Sequence, residues 1–145
     1  MIHASVKELR NAFYAHLAAY EKIKNHPGPS YLLLFYAAEC GMKTIWLSRK
    51  SFKTTEQIFD ETLLSGHGHN LETWRVKLIE IKLMEDSAVR KAPRFSLGRD
   101  KAKKAQFDIG KAHQAWRYGI GLNTEDEKDL VEWLNKICNW IKENI

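Results

Sequence analysis

The sequence predicts an all-α chain, an up-and-down bundle of four to five helices. Three observations carry that prediction. Apolar residues recur every three or four positions along most of the chain, the period of a helix with one buried face. Two Ser/Thr-x-x-Glu signatures stand directly before such runs. No segment alternates apolar and polar residues between hairpin turns. At 145 residues, one core and a single domain over 1–145 follow from size. A 44% hydrophobic content with five tryptophans argues against disorder.

The elements follow in order. Ser5-Val6-Lys7-Glu8 is a capping box, and Val6, Leu9, Phe13, Leu17 and Tyr20 form one apolar stripe behind it. Pro27-Gly28-Pro29 ends this first helix, and Ser30 is the expected cap of the next. That second helix, about Tyr31 to Arg49, is apolar on most sides until Lys43, as befits a helix at the bundle centre. Ser51 to Gly68 is a connector with a short helix expected around Glu56 to Leu64. A third helix is expected from Asn70 to Glu85, with Leu71, Trp74, Leu78, Ile81 and Met84 facing inward. Lys101 to Arg117 is expected to form another, ending at Gly119-Ile120-Gly121. Thr124-Glu125-Asp126-Glu127 reads as a second capping box. The final helix behind it presents Leu130, Trp133, Leu134, Ile137, Trp140 and Ile141.

Charge and cysteine usage narrow the function classes. The longest apolar run, Tyr31 to Ala38, is far short of the roughly 20 residues that cross a bilayer, so no membrane partner is expected. The N-terminus lacks a basic region followed by an apolar segment, and Cys40 and Cys138 both fall in apolar stretches. A reduced, cytoplasmic chain is the expectation. From Arg90 to Lys104 there are seven basic residues against one acid, Asp100. Such a run is either a solvated loop or a contact to nucleic-acid phosphates, with Lys101, Lys103 and Lys104 as the candidate contacts. Phe95 and Phe107 read as isolated aromatics, so no base-stacking platform is expected there.

Three short segments carry the polar chemistry. Ala37-Ala38-Glu39-Cys40-Gly41-Met42-Lys43 sets a Glu and a Lys one helical turn apart, in the order that favours pairing. His69 precedes a helical run in Gly68-His69-Asn70-Leu71, where its ring either bonds the connector backbone or faces a cleft. Trp116-Arg117-Tyr118 sits beside a glycine break, with His113 one turn before Arg117 on the same face. Charged groups this close to a helical core must be paired or used.

Ala37-Ala38-Glu39 with Lys43, His69-Asn70-Leu71 and Arg117-Tyr118, in that order, resemble the HEPN family of helical domains. The resemblance spans roughly Ser30 to Gly121. It implies a helical bundle, often a homodimer, that acts in RNA cleavage, toxin–antitoxin pairs or antiviral defence. Some members are binding or assembly modules, and a nucleotidyltransferase or ATPase is an implied partner. Glu39, Lys43, His69, His113, Arg117 and Tyr118 are then the shared or binding positions.

Catalytic members are marked by an Arg followed four to six residues later by His. Here Arg10-Asn11-Ala12-Phe13-Tyr14-Ala15-His16 fits that spacing, in the first helix rather than a late one. Metal-independent RNA cleavage needs a base for the 2′-hydroxyl proton and a cation for the phosphate. Six residues at about 100° each set Arg10 and His16 about 120° apart on a regular helix. Two readings therefore stand. One is a module that binds RNA, a nucleotide or a partner protein. The other is an endoribonuclease using Arg10 and His16, working as a dimer. His67 and His69 lack the cysteine or acidic companions of a metal site, so no metal is expected. No cofactor is implied, because phosphate-loop, nucleophile-elbow and kinase signatures are missing.

Overall fold

A computed structural model describes residues 2–58, 63 and 69–145. Among the described residues five α-helices form: α1 (Val6–Ile23), α2 (Pro29–Arg49), α3 (Leu71–Glu80), α4 (Ala112–Arg117) and α5 (Thr124–Asn144). No strand forms among the described residues, which carry three isolated antiparallel bridges instead. The all-α class expected from periodicity is the class observed.

Helix α2 is the organising element. It packs along α1 and also touches α3, α4 and α5. Its sequence explains that role, since buried residues occur on every side of it, including Leu34, Phe35, Ala38, Met42, Ile45 and Leu47. A helix apolar all round has no face left for water. The flanking helices each contribute one stripe: Leu9, Phe13, Leu17 and Tyr20 from α1, and Leu130, Trp133, Leu134, Ile137 and Ile141 from α5. Each such side chain contributes about 1.5–3 kcal/mol on burial. Trp140, expected on the same α5 face, is only half-buried at its edge.

Several element boundaries differ from the sequence expectation. Ser30 does not cap α2. Gly28 does, at φ 89°, and Ser30 lies inside the helix, fully buried. Proline at the first helical position explains the shift, because its fixed φ suits a helix start and its missing N–H removes nothing there. At α5 the cap is Asn123, whose side chain accepts from the Asp126 N–H at 3.1 Å. Thr124 is therefore the first helical residue, and Glu127 instead accepts the Trp116 indole N–H at 3.0 Å. Among the described residues of the connector a 3-10 turn forms at Thr55–Gln57, and most of the short helix expected at 56–64 lies outside the described residues.

Helix α3 stops five residues before the expected Glu85. The chain turns at Lys82, φ 59°, where the Lys82 N–H bonds the Ile79 carbonyl and the Leu83 N–H bonds the Leu78 carbonyl at 3.0 Å. This is a Schellman closure with lysine where glycine is usual. Met84 is buried all the same, because the chain folds back over the helix end.

The largest difference is the expected helix from Lys101 to Arg117. Only Ala112–Arg117 is α-helical, preceded by a 3-10 turn at Ile109–Lys111. Residues 81–108 form a strap across α3 and α5. Buried Arg75 donates to Glu72 at 2.6 Å and to the Val89 carbonyl at 3.0 Å, while Glu72 accepts the Ala92 N–H at 3.1 Å. Trp133 of α5 donates to the Arg90 carbonyl at 2.8 Å. The Ser96 N–H bonds Asp126, and Gly98 N–H bonds the Gly121 carbonyl. Backbone groups of an irregular segment thus find partners without a helix.

Candidate functional site

Tyr36, Glu39 and Lys43 lie at i, i+3 and i+7 on α2, so helical geometry alone sets them on one stripe. Lys43 Nζ lies 3.4 Å from Glu39 Oε2, both side chains largely buried. The other carboxylate oxygen, Oε1, lies 2.6 Å from Nδ1 of His69. The Glu39 carboxylate is therefore shared by a cation from its own helix and an imidazole from the start of α3. His69 thus turns its Nδ1 edge onto the α2 carboxylate.

Burial by itself would raise the Glu39 carboxyl. The His69 hydrogen bond and the charges of Lys43 and His69 outweigh it and hold the group below its ordinary value, so it is ionised at neutral pH. An ionised carboxylate only accepts hydrogen bonds, which puts the His69 proton on Nδ1 and turns Nε2 away from the carboxylate.

Two further histidines converge on this carboxylate. His113 of α4 is buried, with its ring 4.6 Å from that of His69 and 5.3 Å from that of Phe35. Burial, then the neighbouring His69 and Arg117, push its pKa below the ordinary value against the pull of Glu39 and the Gly110 backbone. Among the described residues its Nδ1 has no well-formed hydrogen bond. His16 of α1 is half-buried, 6.0 Å from the Tyr36 ring. Burial lowers its pKa while Glu39 opposes the shift. The cluster thus joins α1, α2, α4 and the cap region of α3 around one negative charge.

The remaining expected site residues fall in three places. Arg117 and Tyr118 are exposed at the end of α4, where the guanidinium sits 4.9 Å from the Tyr118 ring and donates to its hydroxyl at 3.3 Å. Arg10 and His16 are not brought together: α1 runs unbroken through both, and six residues keep them about 120° apart. On the strap, Lys103 pairs with Asp126 at 3.4 Å, whereas Lys101 and Lys104 are exposed and make no ion pair among the described residues. His67 lies outside the described residues.

The sequence reading missed four participants. Trp74 lies 5.7 Å from Lys43 Nζ, and Phe35 backs His113. Tyr36 was detectable from its helical spacing to Glu39. Cys40 borders the cluster, and its thiol is pushed up to about 11 by burial and by Glu39, so it is not a ready nucleophile. Cys138 is pushed up to about 12 by burial. Both cysteines are free.

The two aromatics expected to stand alone form a pair. Phe95 and Phe107 exchange backbone hydrogen bonds of 2.9 and 2.8 Å, and their rings lie 5.6 Å apart. They wall a groove of about 280 Å³ that extends to Tyr118. Among the described residues, no three His, Cys, Asp or Glu side chains are arranged to hold a metal ion. No described helix is long and apolar enough to cross a membrane. No family model, curated protein or solved structure matches the chain.

Proposed function

We propose that the chain is a HEPN-like helical module that binds RNA within a defence or toxin–antitoxin system, as a cytoplasmic homodimer. A nucleotidyltransferase or ATPase is its proposed partner. The observation that carries this reading is the Glu39 cluster. Glu39, Lys43 and His69, the positions that carry the family resemblance, are in direct contact, with His113 against His69 and Arg117 next to it. The basic strap supplies the RNA half of the reading, since exposed Lys and Arg without counter-charges are the natural partners of phosphates.

Binding is favoured over cleavage because α1 runs unbroken through Arg10 and His16 and keeps them about 120° apart within one chain. The test is anisotropy with fluorescein-labelled tRNA in EDTA, paired with gels of total RNA. Bound and intact RNA is the expected result, with weaker binding by Arg117→Ala. Absence of binding at low salt would overturn the reading.

One observation favours a second reading, a metal-independent endoribonuclease. Burial keeps His16 neutral near pH 7, as a general base requires, and Arg10 of a second copy would hold the phosphate. RNA cleavage in EDTA that disappears in both Arg10→Ala and His16→Ala would establish it.

A further inference from the structure

We propose that the groove walled by Phe107 and Tyr118 seats an unpaired base of single-stranded RNA, whose phosphates run along the loop 96–106. The proposal rests on the RNA reading above and adds a site away from the Glu39 cluster.

Charge placement is the first argument. The Phe95–Phe107 bridge closes a loop that carries Arg99, Lys101, Lys103 and Lys104 against Asp100 alone. The Asp100 carboxylate accepts the Lys104 and Ala105 backbone N–H groups at 3.2 and 2.9 Å, and a single negative charge leaves the loop net positive. Lys103 is held by Asp126. Arg99, Lys101 and Lys104 are exposed and make no ion pair among the described residues. Anchors at Ser96 and Gly98 tie the start of this loop to Asp126 and Gly121, and Leu97 and Phe107 at its two ends line the groove.

The groove itself is the second argument. Its floor is apolar, and Tyr118 at its edge is 67% exposed, an aromatic surface that the fold leaves to solvent. Arg117 packs against that ring and braces it. Gln114 and Lys111 line the same groove, and an amide offers both a donor and an acceptor to a base edge. A volume of about 280 Å³ suits one planar ring and is too small for a docked helix. A stacking surface beside a row of cations matches the repeating unit of a single strand, which presents a π-face and a phosphate at each nucleotide.

Fluorescence anisotropy with short fluorescein-labelled oligo(U) and oligo(A) tests the site. An RNA duplex and an acid-rich aromatic peptide serve as competitors. Tyr118→Ala is expected to weaken single-strand binding about 5- to 100-fold, the range for one lost stack, with the salt slope unchanged. Tyr118→Phe keeps the ring and should retain wild-type affinity. Lys101→Ala and Lys104→Ala should each flatten the salt slope by about 0.7. The single strand should be displaced poorly by duplex and by peptide. Wild-type binding that Tyr118→Ala leaves intact overturns the groove while sparing the RNA reading. Preference for duplex or for peptide also overturns the groove. Failure to bind any oligonucleotide overturns both.

Discussion

Glu39 acts on four side chains. Its carboxylate meets Lys43 and His69 directly, and its charge reaches His16 and His113. Glu39→Gln keeps the shape and removes the charge. We expect it to lower stability by about 1–2 kcal/mol at neutral pH, the lower part of the range for charge-assisted hydrogen bonds, because His69 is partly exposed. Urea denaturation measures this, and an unchanged midpoint would exclude the role. Because the folded carboxyl titrates below its ordinary 4.5, its contribution is complete above that value and is lost as pH falls through the folded one. Wild type and variant should therefore converge in acid. His113 differs in its pH window. Its folded pKa lies below 6.5, so the unfolded chain takes up the proton first and stability declines as pH falls below about 6.5. In His113→Gln that decline should be smaller, though not abolished, since His16 behaves in the same way. Denaturation across this pH range decides it, and an identical slope would count against a neutral buried imidazole.

Helix ends show how closely local chemistry and sequence signals agree. Three helices, α2, α3 and α4, close with the same pair of backbone bonds, and the left-handed residue is Ser51, Lys82 or Gly119. The ends at Ser51 and Gly119 fall where periodicity stops, so α2 and α4 end where the sequence suggests. Lys82 gives no such signal, and the pattern of Ile81 and Met84 runs past it. Lysine at φ 59° carries a cost of about 1–2 kcal/mol, partly offset by the greater chain entropy of glycine in the unfolded state. Lys82→Gly should therefore stabilise the protein by about 0.5–1 kcal/mol. A higher thermal midpoint is the expected readout, and a lower one would contradict the assigned backbone. The stretch 101–106 has Ala and Lys, good helix formers, yet it is not helical. It offers no apolar stripe to bury, and helices of this length draw their stability from packing rather than propensity.

At the scale of the molecule, three helices meet at Gly41. A methyl group there would lie 2.6 Å from Ile141 Cγ2 and 2.9 Å from Phe13 Cδ1, so α2 approaches both α5 and α1 through a missing side chain. Gly41→Ala gains about 1 kcal/mol of helix propensity and meets overpacking of about 1–3 kcal/mol or more. We expect a net loss of about 1–2 kcal/mol by urea denaturation. A stabilised variant would mean that the three helices are not as close as described. The sequence shows a glycine inside an apolar helix, which marks a close approach without naming the neighbours.

The sequence by itself determined whatever depends on positions within one helix. The Ser5 cap, the α1 and α5 stripes, the buried character of α2 and the Glu39–Lys43 pair all follow from the 3.6-residue period. Only the tertiary structure decided which elements share the Glu39 carboxylate, how Phe95 finds Phe107, and that residues 81–108 lie as a strap. Those contacts join residues far apart in the chain. They arise because buried polar groups must find partners and apolar faces must cover one another, and local periodicity leaves the choice of partner open.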